Sequence, residues 1–206
     1  SFRDGEEHYV EGPDGGNYEW RGVEIIYAIR SIDSGTTWSA PQPLAIDTWP
    51  GRGLDLETDG DGTWILAWVD TDLFVARSRD DGVSWTDPIR IAQNVDPADE
   101  WSGSRQRVDL RHARGDQWLA VFASQSFRSD IYGIDSDLCA VRSGDGGATW
   151  RDPVPVNLDA ANDGATDASP SLAIDDNGRA LVAWETYRSL GSDGSIDADV
   201  FAALTT

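Results

Sequence analysis

The chain has 206 residues, with 37 Asp and Glu against 16 Lys and Arg, so its formal net charge at pH 7 is −21. A surface of this charge repels nucleic-acid phosphates and anionic lipid headgroups, so neither is expected as a partner. No apolar run approaches the roughly 20 residues that a membrane helix needs, so no membrane insertion is expected. The ten Trp residues argue against disorder and for a packed core.

Metal and cofactor sites have little support in the sequence. The single cysteine, Cys139, excludes an internal disulfide and a cysteine metal cluster. His8 and His112 are too isolated to suggest a zinc site. The run Asp59-Gly60-Asp61-Gly62 lacks the spacing and the distal Glu of a calcium loop, and it is interpreted as a turn. We therefore predict no metal and no cofactor.

Short apolar runs predict β-strands along the chain, and no sustained 3.6-residue apolar period predicts a helix. Four strands, A to D, recur, and the turn between A and B is rich in Asp and Gly. The predicted A and B strands are Gly53–Glu57 with Trp64–Trp68, Arg107–Leu110 with Trp118–Phe122, and Ser171–Ile174 with Ala180–Trp184. The predicted C strands are Ile25–Ile29, Leu73–Ala76, Leu138–Val141 and Val200–Ala203, and two of the D strands are Ile89–Ile91 and Val154–Val156.

The turn between strands C and D carries a repeated motif. The frame R-S-x-D-x-G-x-x-W-x-x-P occurs without gaps at Arg30–Pro41, Arg77–Pro88 and Arg142–Pro153. Its Asp can accept backbone hydrogen bonds, its Gly permits positive φ, and its Trp can cover the hairpin, so we expect the three Trp side chains to be largely buried. The predicted structural residues are Ser31, Asp33, Gly35, Trp38, Ser78, Asp80, Gly82, Trp85, Ser143, Asp145, Gly147 and Trp150.

Repeated four-stranded units are typical of β-propeller blades. Residues 44–90 and 91–156 are predicted as complete blades, residues 1–43 as strands C and D, and residues 157–206 as strands A to C. These strands are fewer than a typical ring of four to eight blades contains. We therefore expect another chain or a further segment to complete the propeller, and an oligomer is one way to do so.

The frame S-x-D-x-G-x-x-W resembles the Asp box, or bacterial neuraminidase repeat, of sialidases and related propellers. The resemblance covers most of the chain and implies an all-β fold of three to four blades, part of a six-bladed ring. In that family the box lies on the C–D turns, away from the active face. The resemblance therefore implies a structural role for Asp33, Asp80 and Asp145.

Candidate ligand-binding residues lie mainly in the long D–A and B–C connections, which in a propeller gather on one face around the central channel. Arg with Trp or Tyr suits carboxylated or neutral sugars, through bidentate pairing and ring stacking. Exposed loops of any acidic propeller also contain such residues, so the alternative that these residues bind no ligand stays open. The candidates are Trp49, Arg52, Trp101, Arg105, Arg107, Arg128, Tyr132, Glu185, Tyr187 and Arg188.

A sialidase mechanism, as the resemblance implies it, needs three arginines for the substrate carboxylate, a Tyr nucleophile with a Glu partner, and an Asp acid/base. No complete set can be carried over to this chain. Arg52, Arg105 and Arg107 lie near the starts of A strands, and Glu185 and Tyr187 lie in one segment. Catalytic residues are therefore left unassigned.

We interpret the chain as a sialidase-like, secreted or envelope module that binds glycan or protein and does not catalyse a reaction by itself. One alternative is an exo-sialidase or other glycoside hydrolase completed by further blades or a second chain. Another is a structural subunit of a larger assembly. A convergent Arg cluster with a Tyr–Glu pair would favour the enzyme, and a channel lined only by apolar or acidic groups would favour binding or scaffolding.

Overall fold

The structure is a computed structural model, and it describes residues 25–46, 53–69, 72–93, 108–124, 136–157, 165–189 and 196–204. These residues form thirteen β-strands in four antiparallel sheets and contain no helix. A helix able to cross a membrane is accordingly absent from the described ranges. The chain divides into two compact units, Ser1–Thr48 and Trp49–Thr206.

The first unit contains one antiparallel hairpin in its described part. Strands β1 (Ile25–Ala28) and β2 (Gln42–Ile46) pair from Ile25 opposite Ile46 to Ala28 opposite Gln42. The turn between them carries the first Asp box, at the position predicted for a C–D turn.

The second unit contains three sheets, each built from consecutive antiparallel strands. The first sheet consists of β3 (Leu54–Thr58), β4 (Trp64–Val69), β5 (Leu73–Ser78) and β6 (Ile89–Ala92). The second consists of β7 (Val108–Arg114), β8 (Gln117–Ser124), β9 (Asp137–Ser143) and β10 (Val154–Pro155). The third consists of β11 (Thr166–Ile174), β12 (Ala180–Ser189) and β13 (Ile196–Leu204).

The predicted strands are confirmed in type and order, and so is the all-β propeller fold. Strands β11 and β12 are longer than predicted, because their pairing resumes beyond an irregularity between Ala168 and Ser171. Strand β13 is longer than predicted because it pairs with β12 without interruption from Ile196 to Leu204. The blade boundaries at residues 43, 90 and 156 stay predictions.

Strand β8 shows why the sheets pack face to face. Side chains alternate across a strand, so an apolar strand buried on both sides supplies two cores. Trp118, Ala120 and Phe122 pack into the core shared with the first sheet of the second unit. Leu119 and Val121 pack into the core shared with the third sheet. Sheets with two buried faces in sequence are the arrangement expected of propeller blades.

The three Asp boxes share one hydrogen-bond pattern. In each box the Ser hydroxyl donates to the Asp carboxylate at 2.8 Å, and the Gly N–H donates to that Ser oxygen at 2.8 to 2.9 Å. The residue four positions after the Asp donates both its N–H and its hydroxyl to the same carboxylate. The prediction that these carboxylates accept backbone hydrogen bonds in C–D turns is confirmed, and every Asp oxygen is committed to the turn.

The prediction that the box tryptophans are largely buried is wrong for Trp38, whose side chain is 59% exposed. Trp85 and Trp150 are half-buried. Trp150 packs against the core between its own sheet and the preceding one, so a box Trp depends on the preceding sheet for cover. The described residues include no sheet before the one that carries Trp38.

The boxes make the fold sensitive to acid. Hydrogen bonds, first that of the following Thr or Ser hydroxyl, hold the pKa of Asp80 and Asp145 at about 2, below the ordinary 3.8. The unfolded chain therefore takes up these protons more readily than the folded one, so their stabilisation is complete above about pH 4 and is lost as the pH falls towards 2.

We expect the melting temperature of the wild type to drop between pH 5 and pH 2, and to drop less in the double variant Asp80→Asn, Asp145→Asn. Thermal melts followed by circular dichroism measure both. The control is Asp87→Asn, which removes an exposed carboxylate that takes no part in the box hydrogen bonds. Equal acid shifts in the wild type and the double variant would contradict the assignment.

Candidate functional site

A cleft lies among the first strands of the three sheets of the second unit. It has a volume of about 560 Å³, and the starts of β3 and β7 and the middle of β11 form its walls. In a propeller these A strands are the inner strands around the channel. The lining residues are Gly53, Leu54, Asp55, Val108, Asp109, Arg111, Ser169, Pro170, Ser171 and Glu185.

A β-bulge in β11 shapes one wall of this cleft. The register between β11 and β12 shifts between Ala168 and Ser171, and the two residues between them, Ser169 and Pro170, line the cleft. Ser169 has a φ of 53°, and the other non-glycine residues with positive φ in the described ranges, Ser34 and Asp81, lie in Asp boxes. Bulges and left-handed non-glycine residues in strands concentrate at binding sites, where they redirect side chains.

Two aspartates connect neighbouring inner strands across the cleft. The backbone N–H of Leu110 in β7 donates to Asp55 of β3 at 2.8 Å. The N–H of Leu172 in β11 donates to Asp109 of β7 at 2.9 Å. Asp55 and Asp109 occupy equivalent positions of consecutive sheets, so one contact occurs twice. Because an inner strand has no partner on its channel side, these carboxylates satisfy N–H groups that the sheets leave unpaired.

Arg111 is the centre of a charged cluster in the cleft. Its Nη1 atom lies 2.7 Å from Asp109, 3.1 Å from Asp55 and 3.7 Å from Glu57, and it also donates to the Leu110 carbonyl at 2.6 Å. One guanidinium therefore faces three carboxylates. No group of three or more His, Cys, Asp or Glu in the described ranges is arranged to hold a metal ion.

Asp109 and Glu185 differ from surface carboxylates. Burial raises the pKa of Asp109, against the opposing effects of the Leu172 hydrogen bond and the Arg111 charge. The Tyr187 hydroxyl donates to Glu185 at 2.6 Å, and Glu185 lines the cleft. A carboxyl group with a raised pKa and a Tyr–Glu hydrogen bond are features of acid–base and nucleophilic sites, although ion-pair networks also produce them.

A buried polar network holds the strand segment that precedes the bulge. The Asn157 side-chain amide donates to Asp137 and to Asp167, both at 2.8 Å, and the Thr186 hydroxyl donates to Asp167. The N–H of Asp167 donates to the Ser136 carbonyl at 2.7 Å. These side chains are almost fully buried, and the network links the second sheet of this unit to the third. It therefore fixes the position from which the bulge enters the cleft.

The structure describes the positions of three of the predicted ligand-binding residues, and their role as ligand contacts stays a prediction. Glu185 lines the cleft, and the Tyr187 hydroxyl donates a hydrogen bond to the Glu185 carboxylate. The backbone of Arg188 pairs opposite Asp197. The remaining candidates lie outside the described residues and stay predictions: Trp49, Arg52, Trp101, Arg105, Arg107, Arg128 and Tyr132.

Sequence reasoning missed the inner-strand residues Asp55, Asp109, Arg111 and Ser169. A signal existed for the first two, because each precedes a Leu in an A strand, in Leu54-Asp55-Leu56 and Val108-Asp109-Leu110. A charged residue between two apolar residues of an inner strand faces either the channel or the next sheet. No comparable signal marks Ser169, because a bulge depends on pairing that the sequence does not show.

The sheets and the boxes define a sialidase-like Asp-box β-propeller, as the resemblance implied. Residues 12–183 match the family described as the BNR repeat-like domain, and the chain belongs to that family. A comparison with curated proteins gives no match.

Solved structures with this fold include glycosidases. The chain is similar to the α-L-arabinanase of Penicillium chrysogenum complexed with arabinobiose, with a TM-score of 0.58, 18% identity, and coverage of 95% of this chain and 61% of that one. It is also similar to the GH93 α-L-arabinofuranosidase of Fusarium graminearum, with a TM-score of 0.56, 15% identity, and coverage of 88% of this chain and 54% of that one. A structure of NanB is similar as well, with a TM-score of 0.52, 15% identity, and coverage of 84% of this chain and 26% of that one. The chain thus spans less than two thirds of the length of these proteins.

Proposed function

We propose that this chain is a glycan-binding propeller segment whose ligand lies in the inner-strand cleft. The observation that carries the proposal is the convergence of three inner strands on one cleft lined by carboxylates, a guanidinium and a serine bulge. Sugars are recognised by polar groups of this kind, which accept from and donate to adjacent hydroxyls. The rigid sheets around the cleft favour a preformed site.

Similarity in fold supports the proposal from outside the chain. Two of the structural neighbours, the α-L-arabinanase of Penicillium chrysogenum and the GH93 α-L-arabinofuranosidase of Fusarium graminearum, are complexes with arabinobiose. A glycan ligand also fits an extracellular or envelope location, which stays a prediction. Completion of the ring by a further segment or a second chain stays a prediction as well.

Binding tests the proposal directly. We expect isothermal titration calorimetry to detect binding of at least one oligosaccharide in a panel that includes arabinobiose and lactose. Ser171→Tyr, which places a large side chain at the cleft wall, should weaken that binding by about tenfold or more, or 1.4 kcal/mol. The matched control is Ala173→Tyr, at another exposed position two residues along the same strand and outside the residues that line the cleft.

Absence of binding to every glycan in the panel would contradict the proposal. Equal losses in Ser171→Tyr and Ala173→Tyr would place the ligand elsewhere on the chain.

A glycoside hydrolase is the second candidate, favoured by the hydrogen bond between Tyr187 and Glu185 and by the raised pKa of Asp109. The first proposal predicts no release of fluorophore from a fluorogenic sialoside or arabinofuranoside by the isolated chain. Turnover that Glu185→Gln abolishes, in a variant that keeps its melting temperature, would favour the enzyme instead.

A further inference from the structure

We infer that the inner-strand cleft selects neutral glycans and rejects carboxylated ones. The inference rests on the proposed function and names the ligand class of the same cleft. It concerns the charge of the ligand, which the cleft's own charged groups determine, and it departs from the carboxylate-binding site that a sialidase resemblance implies.

The described charged groups of the cleft are mostly anionic. Asp55, Asp109 and Glu185 line it, and Glu57 contacts the same guanidinium from β3. Arg111 is the one described cation among the lining residues. Three carboxylates around one guanidinium, together with Glu185 elsewhere in the cleft lining, repel a ligand carboxylate, whereas they can accept hydrogen bonds from sugar hydroxyls.

Arg111 is a poor anchor for a ligand carboxylate. Its Nη1 atom already contacts three carboxylates and a backbone carbonyl. A carboxylated sugar that approached this guanidinium would also approach Asp55 and Asp109, and like charges at such a distance are unfavourable. A neutral hydroxyl avoids this repulsion and can still accept from the remaining N–H groups of the guanidinium.

Two further arginines, Arg52 and Arg107, are the groups that could give the cleft a preference for acidic sugars. Arg52 and Arg107 directly precede the lining residues Gly53 and Val108 in sequence, and both lie outside the described residues. If they supplied a carboxylate site, the cleft would prefer acidic sugars despite its described carboxylates. The double variant Arg52→Ala, Arg107→Ala is therefore part of the test.

The experiment compares neutral ligands with carboxylated counterparts, and the methyl-esterified and free oligogalacturonides are the pair that differs essentially in charge alone. Calorimetric titrations of the full chain use lactose against 3′-sialyllactose, and methyl-esterified against free oligogalacturonides, with arabinobiose as a further neutral ligand. We expect the neutral member of a binding pair to bind about tenfold or more tightly than its carboxylated counterpart. Arg52→Ala, Arg107→Ala should not reverse this order.

A charge variant tests the cause of the selectivity. Glu57→Gln removes a carboxylate that contacts Arg111 without altering a lining residue, and we expect it to reduce the neutral-to-acidic ratio by about threefold or more. The control is Asp61→Asn, which makes the same charge change at an exposed residue of the turn between β3 and β4. Melting temperatures of both variants show whether the fold is retained.

The outcomes separate the two proposals. Tighter binding of the carboxylated member overturns the inference and leaves glycan binding intact. Absence of binding to any ligand overturns the proposed function and, with it, the inference. Equal effects of Glu57→Gln and Asp61→Asn would show that the selectivity does not come from the cluster around Arg111, which also overturns the inference.

Discussion

Replacing Gly147 with alanine is expected to destabilise the second unit by about 2–4 kcal/mol, through backbone strain and overpacking together. Gly147 has a φ of 78°, in the left-handed region that residues with a Cβ rarely adopt. A Cβ at this position would also overlap with Cδ1 of Ile65, which is fully buried. Ile65 belongs to the first sheet of the unit and Gly147 to the box of the second, so the clash lies at a contact between blades.

Two controls separate strain from overpacking. Gly60→Ala has the same kind of φ, 74°, with no atom within 4 Å of the new Cβ, so it should cost only about 1 kcal/mol. Ile65→Val removes Cδ1, the atom nearest to the new Cβ, and should recover part of the loss when combined with Gly147→Ala. Urea unfolding of Gly147→Ala, Ile65→Val and the double variant measures this recovery. If the two single losses add up in the double variant, the packing argument is refuted.

Removing the carboxylate of Asp109 should cause the next largest loss in the free energy of unfolding. Asp109→Ala leaves the N–H of the buried Leu172 without its acceptor, and we expect a loss of about 1–3 kcal/mol in the free energy of unfolding. Asp109→Asn keeps an oxygen acceptor of the same shape and should lose clearly less.

Asp61→Ala is the matched control for this position, since it removes an exposed carboxylate from a turn. It should change the free energy of unfolding by less than about 0.5 kcal/mol. Equal losses in Asp109→Ala and Asp61→Ala, measured by urea unfolding, would show that the contact between inner strands contributes nothing to stability.

The fold followed from the sequence because its signals are local and repeated. A box places a Ser, an Asp and a Gly within five residues, and the structure shows these residues bonded to one another. The continuous apolar run Trp118–Ala123 is likewise the local pattern of a strand buried on both faces, which β8 is. Neither inference required knowledge of a distant residue.

The cleft could not be predicted in the same way, because its residues meet only through pairing between sheets. Asp55 and Leu110 are far apart in sequence, and their hydrogen bond exists because consecutive inner strands lie side by side. The bulge at Ser169 depends on a register shift against β12. The exposure of Trp38 was mispredicted for a related reason, since the motif specifies the turn but not the sheet that covers the Trp.

The cleft also bears on the choice between a binding module and an enzyme. The sequence-based criterion for an enzyme was an Arg cluster together with a Tyr–Glu pair. The structure contains the pair, Tyr187 with Glu185, while the described cleft contains Arg111 surrounded by acids. The acidic surroundings favour binding of a neutral ligand, and the Tyr–Glu pair is the reason to test turnover.

The most direct test of the account is to map the bound glycan on the chain. Amide chemical shifts of the ¹⁵N-labelled protein, followed during titration with the tightest neutral glycan, should change most at cleft residues such as Gly53, Asp109 and Ser169. They should change little at the box glycines Gly82 and Gly147. The largest changes at the Asp boxes, with the cleft amides unaffected, would contradict the assignment of the inner-strand cleft as the glycan site.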